Sequence, residues 1–346
     1  MKKENYTIRL CRIDEHDKLI NFLRNHWKED HVFVQSKEVL DFQHLDEEKQ
    51  VYNFIVAHNE ITKEFDAVLG FIPTSQYDKN LSSNRDFWGA IWKVKETVKE
   101  TGIGLSVFLY FVNHYNPNSF AAIGITEVAA RIYKAYKYKL GELLHFYIQN
   151  LQKKDFKIAC FYNNNNNIVH NQRLDISFKK INRFADIPIN IIYPYKSINY
   201  IKKRYRQHPT YRYYFMGIYE SEICRGAFVF RKIEANNAIC LRVVDYLGNF
   251  VPNCYCQFQE LLCKFNAEYI DFLCYYHQPE EIIRMGFNLK KQEDKNIIPN
   301  YFEPFEKKNI SIKFAYKTKA DNYAIFKGDS DQDRPSIIKR DKKCKP

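Results

Sequence analysis

Short apolar stretches bounded by polar or turn-forming residues recur along the whole chain. Residues 6–12 (YTIRLCR), 51–58 (VYNFIVAH) and 65–72 (FDAVLGFI) read as strands, the last two as a pair. Leu19, Ile20, Leu23 and Trp27 fall on one face of a helix that Asp14 can cap. Residues 74–84 are polar and loop-like. A short extended run follows (Trp92, Lys93, Val94, Lys95), then a glycine turn through Thr101, Gly102, Ile103 and Gly104. An apolar helix opens at Leu105. The next pattern is a strand in SFAAIGIT, an amphipathic helix beginning EVAARIYKAYKYK, and a strand ending in HFYI. FKIACFY (156–162) reads as a further strand, and the five asparagines 163–167 read as a solvated loop.

Residues 168–197 read as irregular or edge structure, punctuated by Pro188 and Pro194. A second series then starts. Residues 197–208 are helical up to Pro209, and 211–220, 226–233 and 238–248 make three meandering strands. Residues 254–265 form an amphipathic helix with Tyr255, Phe258, Leu262 and Phe265 on one stripe. A strand (268–276), a short helix (279–287) and a closing strand (322–328) complete the series. The order repeats that of the first half. The expected division is a first α/β domain over 1–165, a connecting segment over 166–196, a second domain over 197–338 and a basic tail over 339–346.

A chain of 346 residues, 45% hydrophobic and 16% aromatic, carries enough apolar surface for two cores. The formal net charge of +12 suits anionic partners: nucleic acid, headgroups or phosphate-bearing small molecules. Compositional bias toward Lys, Asn, Ile and Tyr accounts for the same charge. The nine cysteines form no CxxC pair and read as reduced thiols of a cytoplasmic protein. The polar N-terminus lacks a signal-type apolar core. No apolar run is long enough to span a bilayer, so no membrane partner is expected. No HxxxH, HExxH or paired-Cys pattern calls for a metal.

The candidate chemistry begins at the glycine turn. Gly102 and Gly104 free successive N–H groups near a helix N-terminus, where the macrodipole also favours a bound anion such as a pyrophosphate. Trp92 and Val94 alternate on the strand before it, and Lys99 precedes the glycines. Farther on, Ala129, Tyr133, Lys137 and Tyr138 are spaced along one helix and its end. This order resembles the acyl-CoA-binding half of the GNAT superfamily of N-acetyltransferases. There an Arg/Gln-x-x-Gly-x-Gly/Ala turn follows a strand, and an Ala-x-x-x-Tyr-x-x-x-Gly-Phe helix follows the next. Lys99 stands where Arg or Gln is usual, which keeps the charge and loses the guanidinium fork. Lys137 replaces the Gly, and Tyr138 the Phe. The resemblance implies a mixed-sheet α/β fold, with a second, degenerate GNAT-like domain in tandem. It implies an acyl-CoA cosubstrate held by Trp92, Lys93, Val94, Lys99, Thr101, Gly102, Ile103, Gly104 and Leu105. Tyr133 would protonate the departing thiolate, a match for a phenol of pKa about 10.

Residues 204–215, 241–249 and the C-terminal turn at 328–335 resemble two-domain GNAT-type N-acyltransferases that modify dTDP-linked amino sugars. Enzymes acylating dTDP-3-amino-3,6-dideoxygalactose, with acetyl or 3-hydroxybutanoyl donors, are of this kind. The resemblance then implies that Asp329, Gln332, Asp333 and Arg334 bind the sugar nucleotide. Attack by an amine needs a base or a water path. His208, near a turn, and Asp245, the one carboxylate in an apolar strand, are the candidates. Two alternatives stay open: a GNAT enzyme acting on another amine, and a nucleic-acid-binding protein in which Tyr200, Lys202, Lys203, Arg204, Tyr205 and Arg206 interleave rings and charges.

Overall fold

The computed structural model describes residues 2–3, 5–99, 102–162, 173, 175–188, 191–302, 305–330 and 332–333. The chain divides into two compact units. The first comprises residues 1–139 with Ala315–Lys317, and the second residues 140–314 with Thr318–Asp333.

The first unit opens with β1 (Tyr6–Arg12), α1 (His16–His26), α2 (Val32–Gln35) and α3 (Lys37–His44). Strands β2 (Val51–Asn59), β3 (Phe65–Pro73) and β4 (Asp86–Val94) pair antiparallel with one another. Helix α4 (Ile103–Tyr115), β5 (Ser119–Ile123), α5 (Glu127–Ala135) and β6 (Lys139–Glu142) follow. β5 is parallel to β4, as a crossover through α4 requires. The sheet is double-sided. One face packs Ile8, Ile55, Leu69 and Phe71 under α4 and α5; the other packs Phe54, Val56, Val68 and Ile91 under α1 to α3. That explains the nearly continuous burial of β2 and β3.

The second unit holds β7 (Leu144–Gln149), β8 (Ile176–Lys180), α6 (Ile198–Ile201, continued by a π turn at Lys202–Arg206), β9 (Tyr214–Glu220), β10 (Ile223–Ala235) and β11 (Ala238–Gly248). Then come α7 (Tyr255–Lys264), β12 (Tyr269–Tyr275), α8 (Pro279–Met285) and β13 (Asn288–Leu289), then β14 (Lys313–Thr318), whose residues Ala315–Lys317 belong to the first unit, and β15 (Ile325–Phe326). Its sheet runs β8-β9-β10-β11-β12-β7-β13, with β15 on β12; β14 instead joins the first sheet between β5 and β6. β12 is parallel to β11.

Several expectations change. β7, grouped by sequence with the first domain, pairs with β12 in the second sheet. Residues 156–162 form no strand beyond a single bridge, Cys160 to Ile297. The backbone N–H groups of Lys157, Ile158 and Ala159 instead donate to the buried Glu268 carboxylate. The connecting segment contains β8. Asp14 does not cap α1: Glu15 holds the N-cap position, and its carboxylate accepts from the Arg12 N–H and pairs with Arg9. Trp27 lies outside the buried stripe at 45% exposure. The asparagine run and the basic tail lie outside the described residues.

Candidate functional site

The first unit contains a fork. β4 and β5 pair only from Asp86–Ser119 to Gly89–Ala122. Immediately beyond, β4 bulges: Leu69 faces Trp92 and Phe71 faces Gly89, so Ala90 and Ile91 together oppose Gly70. A bulge bends and twists its strand, which carries residues 90–94 away from β5. Among the described residues, no strand occupies the β5-side edge of β4 past Gly89. Peptide groups along that edge are available to a ligand.

Helix α4 starts at Ile103, two residues earlier than the pattern suggested. Gly102 is its N-cap, at φ 82°, where any side chain would be strained. Its carbonyl accepts the first intrahelical bond, from the Ser106 N–H at 2.9 Å. The N–H groups of Ile103, Gly104 and Leu105 precede any intrahelical acceptor and point out of the helix end. Gly104 itself is helical. Its need is space, since a Cβ there would stand 2.7 Å from Val94 Cγ2. The Trp92 indole N–H donates to the Gly104 carbonyl at 3.1 Å, tying the freed end of β4 to the first turn of α4.

An aromatic floor lies beneath. Trp92 stacks on Phe108 at 5.3 Å, and the Tyr133 ring meets Trp92, Phe108, Phe120 and Tyr138 at 5.6, 5.5, 6.0 and 5.1 Å. Tyr133 thus sits between side chains from both arms of the fork, and it is buried. Burial first, and Tyr138 second, push its phenol above the ordinary tyrosine range. The turn after α5 places Lys137 where the resembled family has Gly. Lys137 takes φ 63°, a glycine-like conformation, and the Tyr138 N–H bonds back to the Tyr133 carbonyl at 3.0 Å. Val94 and Leu105 are partly buried against this core; Lys93 pairs with Glu96, Lys99 is exposed, and Thr101 lies outside the described residues.

The second unit repeats the fork. β11 and β12 pair from Leu241–Ile270 to Val243–Phe272, and the β10 ladder then skips Val244, a bulge at the same relative place. Here the gap is filled. β15 pairs with β12 at Cys274–Phe326 and Tyr275–Ile325, on the edge that β11 has left. Phe326 stacks on Phe272 at 5.5 Å. Gly328 lies so close to β11 that a Cβ would be 2.8 Å from the Val244 carbonyl oxygen. The helix start is covered too. The N–H groups of Asn253 and Cys254 donate to the Arg284 and Met285 carbonyls at 2.8 and 2.9 Å. Gly286 abuts α7, where a Cβ would be 3.1 Å from the Tyr255 nitrogen.

The filling segment is held by buried charge. Lys196 pairs with Asp245 at 2.7 Å and with Asp329. Asp245 also accepts from the Tyr205 hydroxyl at 2.6 Å and the Tyr246 N–H at 2.9 Å. Burial, opposed by Lys196 and assisted by Asp245, pushes the Asp329 carboxyl up to about 7. Asp333 accepts from Arg204 at 2.7 Å and from the Tyr213 hydroxyl at 2.6 Å. Burial alone would raise the Asp333 carboxyl, but Arg204, the Tyr213 hydroxyl and Arg231 together outweigh it and hold Asp333 below the usual carboxylate range.

These facts correct the roles expected in this region. Asp245 is fully buried, its oxygens taken up by Lys196, Tyr205 and a peptide N–H, so it is not an available base. Asp329 and Asp333 face inward and lock the C-terminal turn, so they do not form an open surface for a sugar nucleotide. Gln332 is half-buried, and Arg334 lies outside the described residues. His208 caps its turn, with Nδ1 accepting from the Thr210 and Tyr211 N–H groups at 3.2 and 3.1 Å. The interleaved basic stretch does not offer its rings: Tyr200, Arg204 and Tyr205 are buried, leaving Lys202, Lys203 and Arg206 exposed. No sequence signal marked Lys196, the centre of this network.

No family model matches the sequence, and no curated protein does either. Solved structures do. A GCN5-related N-acetyltransferase from Anabaena variabilis aligns with a TM-score of 0.52 at 11% identity, over 90% of this chain and 72% of that one. A conserved Enterococcus faecalis protein of unknown function, described as a probable N-acyltransferase, aligns with a TM-score of 0.52 at 9% identity, with the same coverage. The fold is therefore that of the GNAT proteins, in the mixed α/β, two-unit form expected.

Proposed function

We propose that this chain is an acyl-CoA-dependent N-acyltransferase with one donor site, the fork of the first unit. The observation that carries the reading is the coincidence of an unpaired strand edge at residues 90–94 with a helix start whose N-cap is the left-handed Gly102. The pyrophosphate sits on the N–H groups of Ile103, Gly104 and Leu105. The pantetheine arm lies along the freed edge of β4 as an added strand. Its thioester carbonyl reaches the β4 peptide N–H groups, which stabilise the oxyanion that develops only in the transition state.

The acceptor amine, deprotonated through water, attacks the thioester carbon. The C–N bond forms, the tetrahedral oxyanion collapses and the C–S bond breaks. The new amide nitrogen gives up its surplus proton to water, Tyr133 supplies a proton to the thiolate, and the tyrosinate is reprotonated through that water. The dry surroundings that raise the Tyr133 pKa raise that of the leaving thiolate as well, which keeps the transfer matched. The filled fork of the second unit takes no CoA.

The family resemblance directs the acceptor to a dTDP-linked amino-dideoxy sugar, with acetyl or 3-hydroxybutanoyl as the acyl group. The test is CoA release from acetyl-CoA or 3-hydroxybutanoyl-CoA with a panel of dTDP-linked amino sugars and simpler primary amines. Turnover with an amine, absent without it, supports the reading. CoA binding without turnover on any amine contradicts the transfer, and no CoA binding contradicts the site.

A further inference from the structure

The filling of the second fork is incomplete. Residues 324–326 occupy its inner part. At its mouth, beyond the carboxyl ends of β11 and β12, an open cleft of about 310 Å³ remains. Clefts outside the carboxyl ends of a parallel strand pair are favoured ligand sites in α/β folds.

The lining has a definite chemistry. Phe250 stacks flat on Tyr246 at 4.1 Å and leans on Tyr276 at 4.9 Å, giving a firm aromatic wall. The Tyr276 hydroxyl donates to Glu281 Oε2 at 3.2 Å, fixing the one carboxylate of the cleft. Asn249 and Asn322 add amide groups at the rim. The sheet and loops hold these residues firmly: the Tyr246 hydroxyl donates to the Asn249 carbonyl at 2.7 Å, and the Asn322 amide donates to the Ile191 carbonyl at 2.6 Å. Among the described residues, the lining contains no lysine or arginine, although the chain has 53 of them against 41 carboxylates. His277 is its other ionisable neighbour and lies exposed at the edge.

A carboxylate beside aromatic faces, without a competing base, recognises a cation and disfavours phosphate. We propose that this cleft is a binding site for a small hydroxylated organic cation, a primary or quaternary amine. The ammonium sits between Glu281 and the Phe250–Tyr276 wall, and hydroxyl groups reach Asn249 and Asn322. The cleft is lined by residues of the second unit, and the proposal does not depend on acyl transfer taking place.

The test is calorimetry or saturation-transfer NMR on the whole chain with choline, ethanolamine and glucosamine as probes, and with dTDP and CoA as anionic competitors. At least one amine is expected to bind, and neither anion to displace it. Glu281→Gln keeps the side chain's shape and should weaken that amine by about tenfold. Phe250→Leu keeps apolar bulk but removes the ring face, and should weaken it by about threefold. Acetyl-CoA affinity in the same variants should match wild type, which reports both on folding and on the donor site separately. Failure of all three amines to bind, equal binding by Glu281→Gln, or displacement by dTDP would overturn the assignment, whatever the donor site does.

Discussion

The two units build the same device and use it differently. In each, a parallel strand pair parts at a bulge, at Ala90 and Ile91 on β4 and at Val244 on β11. The first gap is bordered by a helix start, at Gly102, that no helix or strand among the described residues covers. In the second, residues 325–326 pair where a ligand would, and the C-terminus of α8 covers the start of α7. A fold thus supplies the shape of a site, and local occupancy decides whether the shape is available. The strand edge opened by a bulge needs hydrogen-bonding partners in either case. In the second unit the chain provides them itself; in the first, on the function proposed above, a ligand provides them.

The comparison breaks most visibly at Lys196. Lys196→Ala leaves Asp245 and Asp329 buried without their cation, a change that costs about 3–5 kcal/mol. Denaturant unfolding should show that loss in the second unit, and retained binding of acetyl-CoA would show that the first fork works without it. A loss below 1 kcal/mol would mean that buried charge does not hold the segment in the second fork. Tyr133→Phe keeps the aromatic floor and removes the proton. Turnover should fall about 10²-fold or more with CoA affinity nearly unchanged. Equal turnover, with chemistry rate-limiting, would make Tyr133 a packing residue only.

The pH dependence of the second unit sharpens the contrast more gently. Asp329 is raised to about 7 in the folded state, whereas a free Asp titrates near 4. Between those values the native form holds a proton that the unfolded chain has released, so this group's stabilising contribution declines as pH rises from about 4 to 7. Urea unfolding of wild type and Asp329→Asn at pH 5 and pH 8 isolates that slope from His145, which burial shifts the other way. The difference between the two proteins should diminish on going to pH 5, where wild-type Asp329 is protonated as the amide mimics; a difference independent of pH would contradict the assignment. The smallest effect lies at Lys137, a lysine at φ 63°. Lys137→Gly should stabilise the first unit by about 1 kcal/mol, read as a higher melting temperature.

The glycine turn at Gly102 and the spacing from Tyr133 to Tyr138 were readable in the sequence because their signals are local. Gly102, the helix after it, and the Tyr133 to Tyr138 spacing lie on consecutive elements, and turn chemistry marks each boundary. Long-range pairing left no such mark. Nothing in the apolar pattern of Leu144–Gln149 or Lys313–Thr318 says which sheet will take it, since strand periodicity encodes a face and not a neighbour. FKIACFY reads as a strand until the Glu268 carboxylate, more than a hundred residues away, claims its N–H groups. Asp245 fits a buried ion pair and a general base equally well in sequence, and its partner Lys196 is 49 positions distant. The two forks were invisible for the same reason, because a bulge is a relation between strands.

The most direct test of the difference between the forks is the stoichiometry of acetyl-CoA binding by calorimetry, on wild type and on Gly104→Asp. The new side chain would crowd Val94 and set a negative charge beside the phosphates. Circular dichroism and the unfolding midpoint show whether the variant still folds. The account predicts one acetyl-CoA per chain in wild type and none in folded Gly104→Asp. Two per chain, or one that survives Gly104→Asp unchanged, would contradict it.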